Sequence, residues 1–186
     1  ENSGAISFIG QNTYQSGILS AKLASYGLNS GKISIMKVTN LTDNNQIIKQ
    51  RIAGFKDFFK KKKSLGFEIR EHSFYENSKE ISTFLYDLMH SHESPNILFV
   101  PNSKSFYTLS KLPRASEVRV VGYDLINMNK KLLKNGEIDF IIDQCPVDQG
   151  FKAIDNLQKY LILKETPLPF NYIPLNIVTQ ENVDFF

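Results

Sequence analysis

Six short apolar runs rich in β-branched residues alternate along this chain with stretches in which apolar residues recur every three or four positions. That alternation restricts the fold to a mostly parallel sheet covered by helices, because each parallel connection needs a crossover long enough to hold a helix. The strands are expected at Ala5–Ile9, Lys32–Val38, Glu68–Ser73, Asn96–Val100, Arg119–Tyr123 and Phe140–Asp143, with a further extended segment at Tyr172–Val178. The predicted fold class is α/β, doubly wound.

Helical periodicity fills the intervals. The first helix is expected from Tyr14 to Tyr26 with Gly27 as its stop, and the second from Gln46 to Lys62, burying Ile48, Ile52, Phe55, Phe58 and Phe59. Others are expected at Ser78–Ser91, Lys104–Leu112 and Asn127–Lys134. The last, Val147–Leu163, carries Phe151, Ile154, Leu157 and Leu161 at helical spacing.

At 186 residues the chain suits one domain or two small lobes. Its net charge of +3 is mildly basic, and the Lys60–Lys63 run sits where cations suit a helix carboxyl end, with a nucleic-acid patch as the alternative. The single cysteine, Cys145, excludes an intramolecular disulfide and fits a reducing compartment. No apolar run approaches the roughly 20 residues that cross a bilayer, so no membrane partner and a cytoplasmic location are expected. The opening at Glu1, without Met and just before a strand, reads as that of a fragment.

Four polar residues are read as closing apolar strands: Arg51 in R-I-A-G-F, Asn102 in I-L-F-V-P-N, Asp124 in V-V-G-Y-D and Gln144 in I-I-D-Q. Ligands of open α/β sheets sit in the crevice outside the carboxyl ends of the strands, so these side chains are expected to converge on a small-ligand site. Each has a plainer reading: a solvated helix charge for Arg51, a turn or cap for Asn102, a helix cap for Asp124 and hinge structure for Gln144. No G-x-S-x-G, Walker loop, G-x-G-x-x-G or metal-ligand spacing occurs. No metal site, no cofactor and no catalytic residues are therefore expected, and the chain reads as a binding protein instead of an enzyme.

The segments V-V-G-Y-D, K-N-G-E-I-D-F-I-I-D-Q, C-P-V-D-Q-G-F-K-A-I and P-L-N-I-V-T-Q-E-N-V-D, together with R-x-x-G-F at 51–55, resemble the effector-binding domain of LacI-family transcriptional regulators. They also resemble the family's relatives, the periplasmic sugar-binding proteins, although the ending P-L-N-I-V-T-Q-E-N-V-D resembles regulators more. The resemblance implies a periplasmic-binding-protein-like type I fold, two doubly wound lobes joined by three crossovers with a sugar or nucleoside between them. It divides this chain into a first-lobe remnant at 1–28, a nearly complete second lobe at 29–140, a crossover strand and helix of the first lobe at 141–165, and a return to the second lobe at 166–186.

The same resemblance implies ligand roles. Arg51 would donate two hydrogen bonds from its planar fork to adjacent hydroxyls, Asn102 would offer a donor and an acceptor, and Asp124 would accept from two hydroxyls. Gln144 would contribute from the crossover and Asn12, in I-G-Q-N-T-Y, from the first lobe. Phe74 or Tyr75 would stack on a sugar face. The implied function is effector sensing by a LacI-family regulator, a homodimer that meets operator DNA through a helix-turn-helix module absent from this chain. A periplasmic or sensor-linked sugar-binding protein is the alternative, and a flavodoxin-like enzyme stands third.

Overall fold

The computed structural model describes residues 4–41, 43, 45–62, 64–109 and 118–186. The expected helix end at Leu112 and the last lysine of the basic run, Lys63, lie outside them. Along the chain run β1 (Phe8–Gly10), α1 (Thr13–Ser25), β2 (Ser30–Thr39), α2 (Asn45–Lys61), β3 (Gly66–Tyr75), α3 (Glu80–His90) and β4 (Ile97–Phe99). Then follow α4 (Ser105–Leu109), β5 (Arg119–Tyr123), α5 (Asn127–Lys134), β6 (Phe140–Asp143), α6 (Pro146–Gln158), β7 (Phe170–Tyr172) and β8 (Asn176–Val178). This is the α/β, mostly parallel architecture that the alternation dictates.

Six strands form one sheet in the order β3-β2-β4-β5-β6-β8, parallel except for β8 against β6. Successive strand residues face opposite sides, and both sides are apolar. Ile97, Phe99, Val121, Tyr123 and Ile142 face α1 and α2, whereas Leu98, Val100, Val120 and Ile141 face α3, α4 and α5. A sheet covered twice in this way has no polar face, which is why its strands read as continuous apolar runs.

The predicted stripe of α2 is buried as expected, with Phe55 stacked on Phe99 at 4.1 Å between ring centroids. Its partner is α1. Gly17 and Gly54 lie where the two helices touch: a Cβ on Gly17 would stand 2.0 Å from the Arg51 carbonyl oxygen, and one on Gly54 would stand 2.0 Å from that of Tyr14. Each glycine costs its helix about 0.5–1 kcal/mol relative to Ala. In return the backbones meet directly, which no residue with a Cβ permits.

Two expected assignments are corrected here. Helix α1, placed with the first lobe by the resemblance, packs on α2 and on β4, β5 and β6. Strand β6, assigned to the first-lobe crossover, is an interior strand of the large sheet, because Ile141 and Ile142 present an apolar side chain to each of its faces. The expected strand at Ala5–Ile9 forms only at Phe8–Gly10. The extended Tyr172–Val178 is divided at Ile173–Leu175, so that β7 pairs with β1 in a separate two-stranded sheet while β8 joins the large one.

Beside that small sheet lies α6, which continues beyond Gln158 as a π-helical turn over Lys159–Leu163 instead of one regular helix. Phe8, Phe170 and Tyr172 make mutual ring contacts at 6.1–6.3 Å, yet the apolar stripe of α6 is uncovered, with Phe151 73% exposed. No helix among the described residues is long and apolar enough to cross a membrane.

Gly54→Ala is expected to destabilise the protein by about 1–3 kcal/mol, the usual cost of forcing volume into a packed contact. Gly150→Ala, on exposed α6 with nothing near its would-be Cβ, should stabilise by about 0.5–1 kcal/mol through helix propensity alone. Urea melts of the two variants check the opposite signs.

Candidate functional site

The strand order reverses between β2, which continues outward to β3, and β4, which leads the other way. At that switch point the carboxyl ends of neighbouring strands diverge and leave a crevice. Asn102 sits in it. Its Nδ2 donates to the Val38 carbonyl at 2.7 Å and its Oδ1 accepts from the Lys104 amide at 3.2 Å, so it ties the end of β4 to the end of β2 and shapes the turn into α4.

Arg51 does not close a strand; it lies within α2, and it is only 2% exposed. Its Nη1 donates to the Pro101 carbonyl at 2.9 Å, and its guanidinium carbon stands 3.8 Å above the Tyr123 ring. A desolvated cation over an aromatic face is worth about 2 kcal/mol. The Nε–H is buried without a partner. Tyr123 is held from the other end, where its hydroxyl donates to Ser16 Oγ at 3.0 Å and meets Ser20 Oγ at 3.1 Å, both on α1.

Asp124 follows Tyr123 with φ +64°, the left-handed conformation. Its amide donates to the Ile142 carbonyl, and its carboxylate accepts a hydrogen bond from Gln144 Nε2. Burial pushes the carboxyl above its usual range; Asp143 adds to the rise, while the Gln144 amide and the Arg51 charge oppose it. The turn is fixed from beneath by Asn129, fully buried on α5. Its Nδ2 lies 3.0–3.1 Å from the carbonyls of Ser103, Tyr123 and Asp124.

Asp143 closes β6 with both carboxylate oxygens engaged, accepting from Leu125 N at 3.3 Å and Cys145 N at 3.0 Å. Cys145 takes φ +48° at the start of α6, and Asn176 Nδ2 donates to its Sγ. Burial first, then the adjoining Asp143 carboxylate, pushes that thiol up to about 11, which makes it a poor nucleophile.

Some of these residues border a cleft of about 790 Å³, with Asp124, Asp143, Gln144, Cys145, Ser103 and Asn176 among its walls. That is a volume suited to a small molecule. Asp124 and Gln144 therefore face it, while Arg51 and Asn102 are not among its wall residues. Asn12 spends its Oδ1 on capping α1, accepting from Gln15 N at 3.0 Å, and it too is absent from the cleft wall.

Phe74 and Tyr75 lie apart from the others. They border a second groove of about 330 Å³ at the ends of β2 and β3, with Phe74 packed against Phe84 of α3 at 5.1 Å. Next to them, Lys104, Tyr107 and Asn40 donate to the Glu76 carboxylate and hold its pKa down to about 2.

The sequence reading missed Gln11, Asn129 and Asp143. Asp143 carried a usable signal, since it ends an apolar strand beside Gln144. Asn129, in a polar stretch N-M-N-K-K, carried none. Asn129→Ala should leave buried carbonyls unpaired and lower unfolding stability by about 1–3 kcal/mol in a urea melt, with faster amide exchange at Asp124.

No curated protein sequence matches the chain. Solved structures do. A protein assigned as a LacI transcriptional regulator from Bacteroides fragilis superposes with a TM-score of 0.85 at 29% identity, over 97% of this chain and 64% of that one. An ABC transporter solute-binding protein from Burkholderia graminis, in complex with D-arabinose, gives 0.80 at 22% over 99% and 65%. A sugar ABC transporter binding protein from Bacillus halodurans gives 0.77 at 21% over 99% and 67%. The chain thus spans about 64% of the length of the first of these and 65% of the second. With a family match running from residue 1 to residue 165 and the mostly parallel α/β architecture described above, the chain belongs to the periplasmic binding protein domain family.

Proposed function

We propose that this chain is the effector-sensing part of a LacI-type transcriptional regulator and that its effector is a sugar. The observation that carries the reading is the Asp124–Gln144 pair at the cleft: a carboxylate raised by burial and a side-chain amide, beside an open volume at the carboxyl ends of β5 and β6. Sugar hydroxyls donate to a carboxylate more strongly than to a neutral acceptor, and the amide offers both donor and acceptor. Arg51 and Asn102 lie behind the cleft wall, and the buried Arg51 charge favours the ionised Asp124 carboxylate. Binding of this kind involves no chemical step.

In this reading sugar binding stabilises one arrangement of the two strand units over another. Operator affinity, exerted through a helix-turn-helix module elsewhere in a homodimeric cytoplasmic protein, responds by the difference in sugar affinity between the two arrangements. Asn12, Phe74 and Tyr75 take no part unless the arrangement changes. The likeness to the Bacteroides fragilis protein favours a regulator. The solute-binding proteins with D-arabinose and D-allose favour a second reading, a periplasmic or sensor-linked sugar-binding protein. Release of operator DNA from the full-length protein by a sugar supports the regulator; sugar binding without any DNA affinity supports the second reading.

The sign of the pH dependence follows from Asp124. Its folded pKa lies above its ordinary value, so in the ligand-free protein ionising it costs stability: its favourable contribution is complete below the unfolded pKa and is lost as pH rises through the folded one. A sugar needs the ionised form, so affinity should be greatest well above the folded pKa and fall as pH drops through it. Calorimetric titration with D-arabinose, D-allose and other aldoses across pH checks this, and binding that strengthens on acidification would defeat it. Asp124→Asn is expected to stabilise the ligand-free protein at neutral pH while weakening sugar binding at least tenfold, on the scale of one charge-assisted hydrogen bond.

A further inference from the structure

Three segments connect the small unit of β1, β7 and α6 to the large sheet: Gly10–Asn12, Gln144–Cys145 and Ile173–Leu175. They meet at Gln11. This side chain is buried, with 4% of its surface exposed, and its Nε2 donates to the Asp143 carbonyl at 2.7 Å and to the Pro174 carbonyl at 2.8 Å. One amide on the first connection therefore holds both of the others. The Ile173 amide, donating to the Gly10 carbonyl at 3.0 Å, completes the junction.

The orientation of the amide is dictated by chemistry. Two carbonyl oxygens face it, and only the NH2 end can satisfy both. Its Oε1 is left buried and unpaired, an unfavourable state tolerated only because reversing the amide would set oxygen against oxygen twice. The Asp143 carbonyl belongs to the peptide unit that carries Gln144. Beyond that unit, the Asp143 carboxylate receives Leu125 N and Cys145 N, and Gln149 Nε2 donates to the Gln144 carbonyl at 2.7 Å. The backbone presenting Gln144 to Asp124 is thus fixed from the far side by a residue that does not line the cleft.

We propose that Gln11 is a positioning residue for the cleft: by gripping the Asp143 and Pro174 carbonyls, its amide sets where Gln144 meets Asp124 and where the connections between the units cross. Its importance for binding rests on the cleft reading given above. Its effect on the Asp124–Gln144 pair does not.

Burial is the first cause of the raised Asp124 pKa; of the neighbouring groups, the Gln144 amide and Arg51 of α2 lower it and Asp143 of β6 raises it. The test follows the Asp124 carboxyl carbon by NMR through a pH titration. Gln11→Met keeps the length and removes the donors; Gln11→Asn keeps the amide but is one methylene too short to reach both carbonyls. In the folded variants the Asp124 midpoint should rise above that of the unmodified protein. Gln144→Ala should raise it equally, and combining it with Gln11→Met should add nothing further. An unchanged midpoint in folded Gln11→Met would overturn the proposal, as would an additive double variant. Failure of both Gln11 variants to fold would leave the side chain a structural role only and overturn it equally.

A separate arm titrates D-arabinose and D-allose calorimetrically. Affinity should fall about tenfold in Gln11→Met, the scale of one hydrogen bond lost at the site, and unchanged affinity counts against the proposal. If neither sugar binds the unmodified protein, the choice of these sugars fails while the Asp124 titration still decides the role of Gln11.

Discussion

The backbone contact between α1 and α2 sets the position of Tyr123, and with it the end of β5 at the cleft. Because Gly17 and Gly54 have no Cβ, the two helices approach until their carbonyls lie where side chains would otherwise begin. That approach places Arg51 over Tyr123 from α2 while Ser16 and Ser20 hold the tyrosine hydroxyl from α1. Tyr123 is clamped at both ends. The next residue, Asp124, inherits a fixed position at the end of β5.

The same locality explains the electrostatics. A cation as buried as Arg51 needs compensation, and among the described residues it finds an aromatic face and the Pro101 carbonyl. Asp124 is raised by burial although Arg51 and Gln144 both oppose the rise. Around it, amides do the structural work: Asn102, Asn129 and Gln11 each satisfy backbone carbonyls at strand ends, where the sheet ladder can no longer do so.

Much of the fold was legible because a sheet buried on both faces must use unbroken apolar strands, as I-L-F and V-V-G-Y do, and amphipathic helices such as α2 must show their stripe. The resemblance placed α1 with the first lobe, and its sequence does not advertise the face it buries against α2. Its buried residues include Ser16, Gly17, Ser20, Ala21 and Ala24, small side chains that signal no strong apolar stripe yet let the α1 and α2 backbones touch. The apolar stripe of α6 erred the other way, promising burial that the described residues do not supply.

Of the candidate site, Asp124 and Gln144 could be read directly, since each ends a strand at the carboxyl edge where such crevices form. What the sequence determined alone was this list of strand ends and the alternation that creates them, both of which follow from local side-chain periodicity. Only the tertiary structure decided that Arg51 lies within a helix, buried over Tyr123 and off the cleft wall, that Phe74 and Tyr75 belong to a different groove, and that Gln11 and Asn129 hold the turns in place. Those outcomes turn on which backbone carbonyls remain unpaired once the sheet has formed, a condition set by contacts between residues as far apart as Gln11 and Pro174, which no local pattern records.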